Sequence, residues 1–70
     1  MLTFKYRLSK QIVLKHAKVS SGSVREYKCE LDRDDGRWKY EIEFKSGRRE
    51  YEYDVDALTG KILKWESERD

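Results

Sequence analysis

The stretch Trp38-Lys39-Tyr40-Glu41-Ile42-Glu43-Phe44-Lys45-Ser46-Gly47-Arg48-Arg49-Glu50-Tyr51-Glu52-Tyr53-Asp54-Val55-Asp56 decides the fold. Trp38, Tyr40, Ile42 and Phe44 alternate with Lys39, Glu41, Glu43 and Lys45. After Ser46-Gly47 the alternation resumes, with Tyr51, Tyr53 and Val55 set against Glu52, Asp54 and Asp56. Successive side chains of an extended chain point to opposite faces, so this period of two describes strands buried on one side and wet on the other. Two such strands around a glycine turn read as an antiparallel hairpin.

Working outward, Tyr27, Cys29 and Leu31 alternate with Lys28, Glu30 and Asp32, and Ile62, Leu63 and Trp65 make a fourth, less regular strand. Gly22, Gly36, Gly47 and Gly60 lie in turn-like clusters 14, 11 and 13 residues apart, a spacing that suits strands joined in sequence. The pattern predicts strands over about residues 23–33, 37–46, 48–57 and 61–67. The charged face reads as a lattice of mixed sign, stabilised by opposite charges across strands.

One apolar sheet face needs a cover, and the N-terminal segment supplies it. Leu8, Ile12, Val13 and Ala17 share a helical stripe, with Lys10, Lys15 and Lys18 pointing elsewhere. Leu2, Phe4, Tyr6 and Leu8 also alternate as a strand would, but a helix over about residues 4–18, with Thr3 as its cap, is the better reading. Ser20-Ser21-Gly22 is the expected stop, after Lys15, His16 and Lys18, which suit the negative end of a helix dipole. The fold class is therefore α+β: one domain over residues 1–70, an N-terminal helix packed on a four-stranded antiparallel meander, a cystatin-like arrangement.

A chain of 70 residues buries only roughly 60% of the surface that it exposes when unfolded, so its core must be built from large side chains. Five Tyr, two Trp and two Phe meet that need. Charged residues make up 43% of the chain, yet the net charge is only +2 and the aromatics are regularly spaced, which separates it from disordered sequences. A single cysteine excludes an internal disulfide. The longest aliphatic run, Ile12-Val13-Leu14, is far short of the roughly 20 residues of a membrane span, and no signal-peptide core follows Met1. Residues 1–28 hold seven Lys/Arg against one acid, and residues 29–70 hold nine against thirteen, so the helix side is basic and the sheet side acidic.

Catalysis finds no constellation to work with. Cys29 falls on the apolar face, where a thiol is inert and its pKa raised, and His16 at the solvated end of the helix. One Cys and one His do not make a zinc site, and no cofactor is expected. Asp32-Arg33-Asp34-Asp35-Gly36 imitates a calcium loop, with Glu43 eleven residues on, but Arg37 stands where that loop needs glycine. An Asp-Gly hairpin turn is the better account. Glu41, Glu43, Glu50, Glu52, Asp54 and Asp56 lie on the wet face amid Lys and Arg, whereas the raised pKa of an acid catalyst requires a dry pocket. Lys5, Arg7, Lys10, Lys15 and Lys18 raise nucleic-acid binding as an alternative, countered by the acidic sheet face and inward aromatics.

The ordered series Tyr40-Glu41-Ile42-Glu43-Phe44, Ser46-Gly47, Glu50-Tyr51-Glu52-Tyr53-Asp54-Val55-Asp56-Ala57 and Thr59-Gly60-Lys61-Ile62-Leu63 resembles a PepSY domain over roughly residues 10–67. Leu14-Lys15-His16-Ala17-Lys18-Val19 is similar to the end of that family's helix, which usually closes on a glycine where this chain has Lys18. The basic Phe4-Lys5-Tyr6-Arg7 departs from the Ser/Thr and acidic opening common in the family. The resemblance implies a non-catalytic protein-binding module, found in propeptides of secreted metallopeptidases and in bacterial envelope proteins, that inhibits or chaperones a peptidase. It also implies an extracytoplasmic location, and it offers no catalytic residues to carry over. A third reading is a structural or self-associating domain, with the edge around Ile62 to Glu66 pairing with a second copy.

Overall fold

The computed structural model describes residues 6–69, and the expectations placed on residues 2–5 lie outside them. Helix α1 (Tyr6–Ala17) leads through a short 3-10 turn (Ser21–Ser23) into β1 (Val24–Asp34), β2 (Arg37–Ser46), β3 (Arg49–Asp56) and β4 (Ile62–Arg69). The strands form one antiparallel sheet in the order β1-β2-β3-β4, with the helix on one face, so the expected α+β arrangement stands.

Local chemistry sets the turns. Asp35 and Gly36 both take positive φ, 53° and 77°, the requirement of a two-residue hairpin loop whose twist matches its strands. Gly47 (φ 62°) serves the next hairpin, and its carbonyl accepts a 2.6 Å hydrogen bond from the Arg25 guanidinium. The last turn is tied by Asp56: its carboxylate accepts from the backbone N–H groups of Leu58 (2.7 Å) and Thr59 (3.1 Å), while Gly60 at φ 80° closes onto the Asp56 carbonyl. The Asp56-to-Gly60 segment is thus a self-capped turn.

The core is the helix-side face of the two central strands. Tyr40, Ile42 and Phe44 of β2 and Tyr51, Tyr53 and Val55 of β3 are buried with Ala57 beneath Val13 and Leu14 of α1. Phe44 stacks on Tyr51 with ring centres 4.9 Å apart and on Tyr53 at 6.2 Å. Tyr27 and Trp65 extend the stack to β1 and β4. Of the expected helical stripe only Val13 is fully buried, while Ile12 and Ala17 are half-buried and Leu14 joins the core. Leu8 is 43% exposed, and Ser9 is fully buried in its place, so the buried stripe is Ser9, Val13 and Leu14. A small side chain where helix meets sheet shifts the contact line by one residue.

The helix stops earlier than Ser20-Ser21-Gly22. Val19 N–H donates to the Leu14 carbonyl (3.1 Å) and Lys18 N–H to that of Lys15 (3.2 Å), the paired closure of a Schellman end. It obliges Lys18 to adopt φ 60°, a left-handed conformation that crowds Cβ against the backbone. Gly22 has no positive φ, so its presence marked a turn rather than the helix end. Two irregularities escape the alternation. In β1, Glu26 and Tyr27 together oppose Phe44, a bulge with Glu26 at φ 52°, which is why Val24 and Tyr27, three apart, both pack on the core. In β4 the register shifts between the pairs Asp54–Lys64 and Val55–Ile62, so Leu63 is the extra residue.

Two outcomes follow from these ends and turns. Lys18→Gly removes the left-handed strain and raises stability by about 1 kcal/mol, read as a higher urea midpoint with unchanged slope. The backbone donors hold the Asp56 carboxyl below its ordinary value of 3.8. A depressed carboxylate stabilises above that ordinary value and loses its contribution as pH falls through the native one. Asp56→Ala therefore lowers the melting temperature by about a few degrees at pH 7, and melts across pH show the gap to wild type closing below about pH 4.

Candidate interaction surface

Cys29 and His16, the two side chains with nucleophilic or basic potential, lie over the same face of the sheet but toward opposite edges of it. Cys29 is half-buried on β1 opposite Ile42, and burial pushes its thiol pKa up. His16 is exposed at the end of α1, as expected, but it is not idle. Its Nδ1 shares a 2.8 Å hydrogen bond with the Tyr53 hydroxyl, and its ring stands edge-on to Trp65 at 4.9 Å. It satisfies a buried tyrosine beneath the helix. Asp32 and Asp34 lie at the end of the β1–β2 hairpin, in register with Lys39 and Arg37, and Glu43 pairs across the sheet with Lys28. Among the described residues no group of three or more His, Cys, Asp or Glu side chains is placed to hold a metal.

The helix does not cover the whole apolar face. Beyond its reach, Tyr27, Cys29, Leu31 and Tyr40 line a shallow open groove of about 500 Å³ along β1. Leu31 is 47% exposed at its floor. Lys10, placed by its pattern away from the sheet, instead sets its ammonium 4.8 Å above the Tyr27 ring, at the groove's helix side. The Tyr27 hydroxyl is shut off from solvent without a hydrogen-bond partner among the described residues, and burial together with the neighbouring Cys29 thiol pushes its pKa up. Neither tryptophan is core, contrary to the expectation that the aromatics turn inward. Trp38 is 37% exposed under the Arg33 guanidinium, and Trp65 is half exposed at the β4 edge. Both lie on the apolar face, but at positions that a twelve-residue helix leaves open.

The opposite face is less evenly mixed than its sequence reads. Near the β1–β2 turn Lys39 is a true hub, with its ammonium 3.2 Å from Asp54, 3.7 Å from Glu41 and 3.8 Å from Asp34. The Asp54 hydrogen bond leads in pushing its pKa up. Toward β4, register stacks acid on acid: Glu43, Glu52 and Glu66 face one another across three strands, and Glu50 faces Glu68. Burial raises the Glu52 pKa, and its four acidic neighbours add to that rise. The alternation placed Glu43, Glu50 and Glu52 on the wet face, and Glu66 and Glu68 of β4 join them there. Which of them meet depends on register, and the Leu63 bulge sets that register in β4.

A carboxylate raised in the native state costs stability once ionised, and the cost is relieved as pH falls toward its ordinary value of 4.5. Glu52→Gln therefore stabilises the protein at pH 7 by about a few tenths of a kcal/mol, the scale of one unfavourable cross-strand pair. Denaturation at a series of pH values checks this, with the gain fading below about pH 4.5.

Comparison with known proteins adds identity to this geometry. Residues 10–66 match the PepSY family, described as the peptidase propeptide and YPEB domain. An uncharacterized protein of Streptococcus pyogenes serotype M6 is 38% identical over 60 residues, covering 86% of this chain and 46% of its own. The chain thus spans about half the length of that relative. No solved structure matches. With the match running from α1 into β4, over all four strands and the Asp56-to-Gly60 turn, the chain belongs to the PepSY family.

Proposed function

We propose that this chain is a non-catalytic protein-binding module of the peptidase-propeptide type, which modulates a secreted or envelope peptidase by inhibiting it or assisting its folding. The observation that carries this reading is the family match over residues 10–66. The chemistry of the surface is in keeping with it. Cys29 and His16 stand too far apart in the fold to act together, and the carboxylates face water among charged neighbours. What remains for function is non-covalent contact. Trp65 is the side chain best suited to make it, half exposed at the β4 edge and backed by Tyr53 and His16. Interface energy concentrates in such aromatic anchors held rigid by their neighbours.

The test is to titrate the purified domain into a panel of secreted bacterial metallopeptidases and follow peptide hydrolysis. At least one enzyme is expected to slow, or to refold in higher yield, in a saturable manner. Trp65→Ala, checked by circular dichroism for an intact fold, is expected to weaken the effect by about thirtyfold, the equivalent of about 2 kcal/mol. Unchanged rates and yields across the panel contradict the reading.

A further inference from the structure

β1 is one of the two sheet edges, and among the described residues nothing pairs with the outer side of its far half. Natural edges are blunted by bulges, by charged side chains turned inward or by a covering element. The near half of β1 has such a device, the Glu26–Tyr27 bulge, with Glu26 held 3.5 Å from Lys45. Beyond it, Lys28 to Asp34 pair regularly with β2, and Tyr27, Cys29 and Leu31 line the open apolar groove on the helix side. The two-residue loop at Asp35-Gly36 makes Asp34 and Arg37 a hydrogen-bonded pair. Alternation then turns the N–H and C=O groups of Cys29, Leu31 and Arg33 toward the free edge. A regular strand that is apolar on its helix side from Tyr27 to Leu31, with a row of outward donors and acceptors, is a template for one more strand.

We infer that this edge pairs with a second copy of the same chain, β1 against β1, antiparallel about a two-fold axis at Cys29. The sequence of the edge is self-complementary in that register. On the helix side, Tyr27 of each copy lies opposite Leu31 of the other and covers its exposed face. On the outer side, Lys28 of each copy lies opposite Glu30 of the other, giving two opposite-charge pairs. Sliding the strands by two residues sets Lys28 against Asp32 but Glu30 against Glu30, and a further two sets Lys28 against Asp34 but Glu30 against Asp32, so each carries a like-charge contact that the first register lacks. The bulge ends the pairing at Tyr27, which leaves residues 27–31 of each copy in contact and fuses two four-stranded sheets into one. The β4 edge around Ile62 to Glu66 is the poorer candidate, because the Leu63 bulge breaks its register and Glu66 lies beside Glu52 and Glu43.

So short a pairing predicts a weak dimer, with a dissociation constant on the order of 10–100 μM, below the standard interface size. Sedimentation equilibrium of the chain across that range at low salt reads it directly. Glu30→Lys is the decisive variant, because within one chain it relieves the Glu30–Glu41 contact and so preserves the fold. Between copies it sets lysine against Lys28 and is expected to raise the dissociation constant at least about tenfold. The double variant Lys28→Glu with Glu30→Lys restores the opposite charges and is expected to return association to near the wild-type value. In the hydrogen-bonded pairing the two Cys29 Cα atoms stand about 5.5 Å apart, within disulfide reach, so diamide cross-links the wild type and not Glu30→Lys. A chain that stays monomeric into the millimolar range, or a dimer that Glu30→Lys leaves intact, overturns the proposal. So does protection of β1 amides that appears only when a peptidase is added, since it assigns the edge to that partner. Trp65 lies at the opposite edge of the sheet, so these results and those of the peptidase titration succeed or fail separately.

Discussion

Phe44 sits at the centre of a run of aromatic rings that crosses every strand of the sheet. Its ring stacks on Tyr51 and Tyr53 of β3 and on Tyr27 of β1, and Tyr53 hands the contact on to Trp65 of β4. Truncating such a buried ring to alanine costs about 3–5 kcal/mol. Native domains hold only about 0.05–0.15 kcal/mol per residue, so in a chain of this length that one stack is comparable with the whole margin of stability. Leu14 and Val13 seal it from above, and the Tyr53 hydroxyl finds its partner in His16. The sheet is thus held from its middle outward.

That arrangement explains where the surface is free. A single helix of twelve residues covers the stack but not the corners of the sheet, so Leu31, Trp38 and Trp65 keep much of their exposure. The same economy governs the outer face. Lys39 neutralises the acids at one end, whereas Glu43, Glu52 and Glu66 lie side by side at the other, with Lys28 beside Glu43 alone. Both edges and both ends therefore differ in chemistry, which is what a small module needs if it is to present distinct contacts without giving up its core.

The alternation from Trp38 to Asp56 made the central hairpin legible residue by residue, and every buried side chain of β2 and β3 comes from it. The PepSY-like succession through Asp56, Thr59 and Gly60 was equally legible, because a self-capping aspartate and a positive-φ glycine leave a local signature. The helix end was not. Lys18 carries a conformation that glycine usually marks, and only its place opposite the family's usual glycine pointed to it. Nor was the β1 bulge visible to a period-two reading, although the three-residue step from Val24 to Tyr27 was its trace. The open groove and the acid-on-acid rows depend on which strand lies beside which and on how far one helix reaches. Those are properties of the assembled sheet, and no local pattern encodes them.

The central claim is that stability is concentrated in the β2–β3 stack while the outward side of β1 stays open. Native-state hydrogen exchange on dilute protein measures this amide by amide. The amides of Tyr40 to Phe44 and Tyr51 to Val55 are expected to exchange last, at the rate of global unfolding, and those of Cys29, Leu31 and Arg33 among the first of the strand amides. Protection in β1 equal to that of β2 and β3, or a uniformly fast profile across all four strands, would contradict the account.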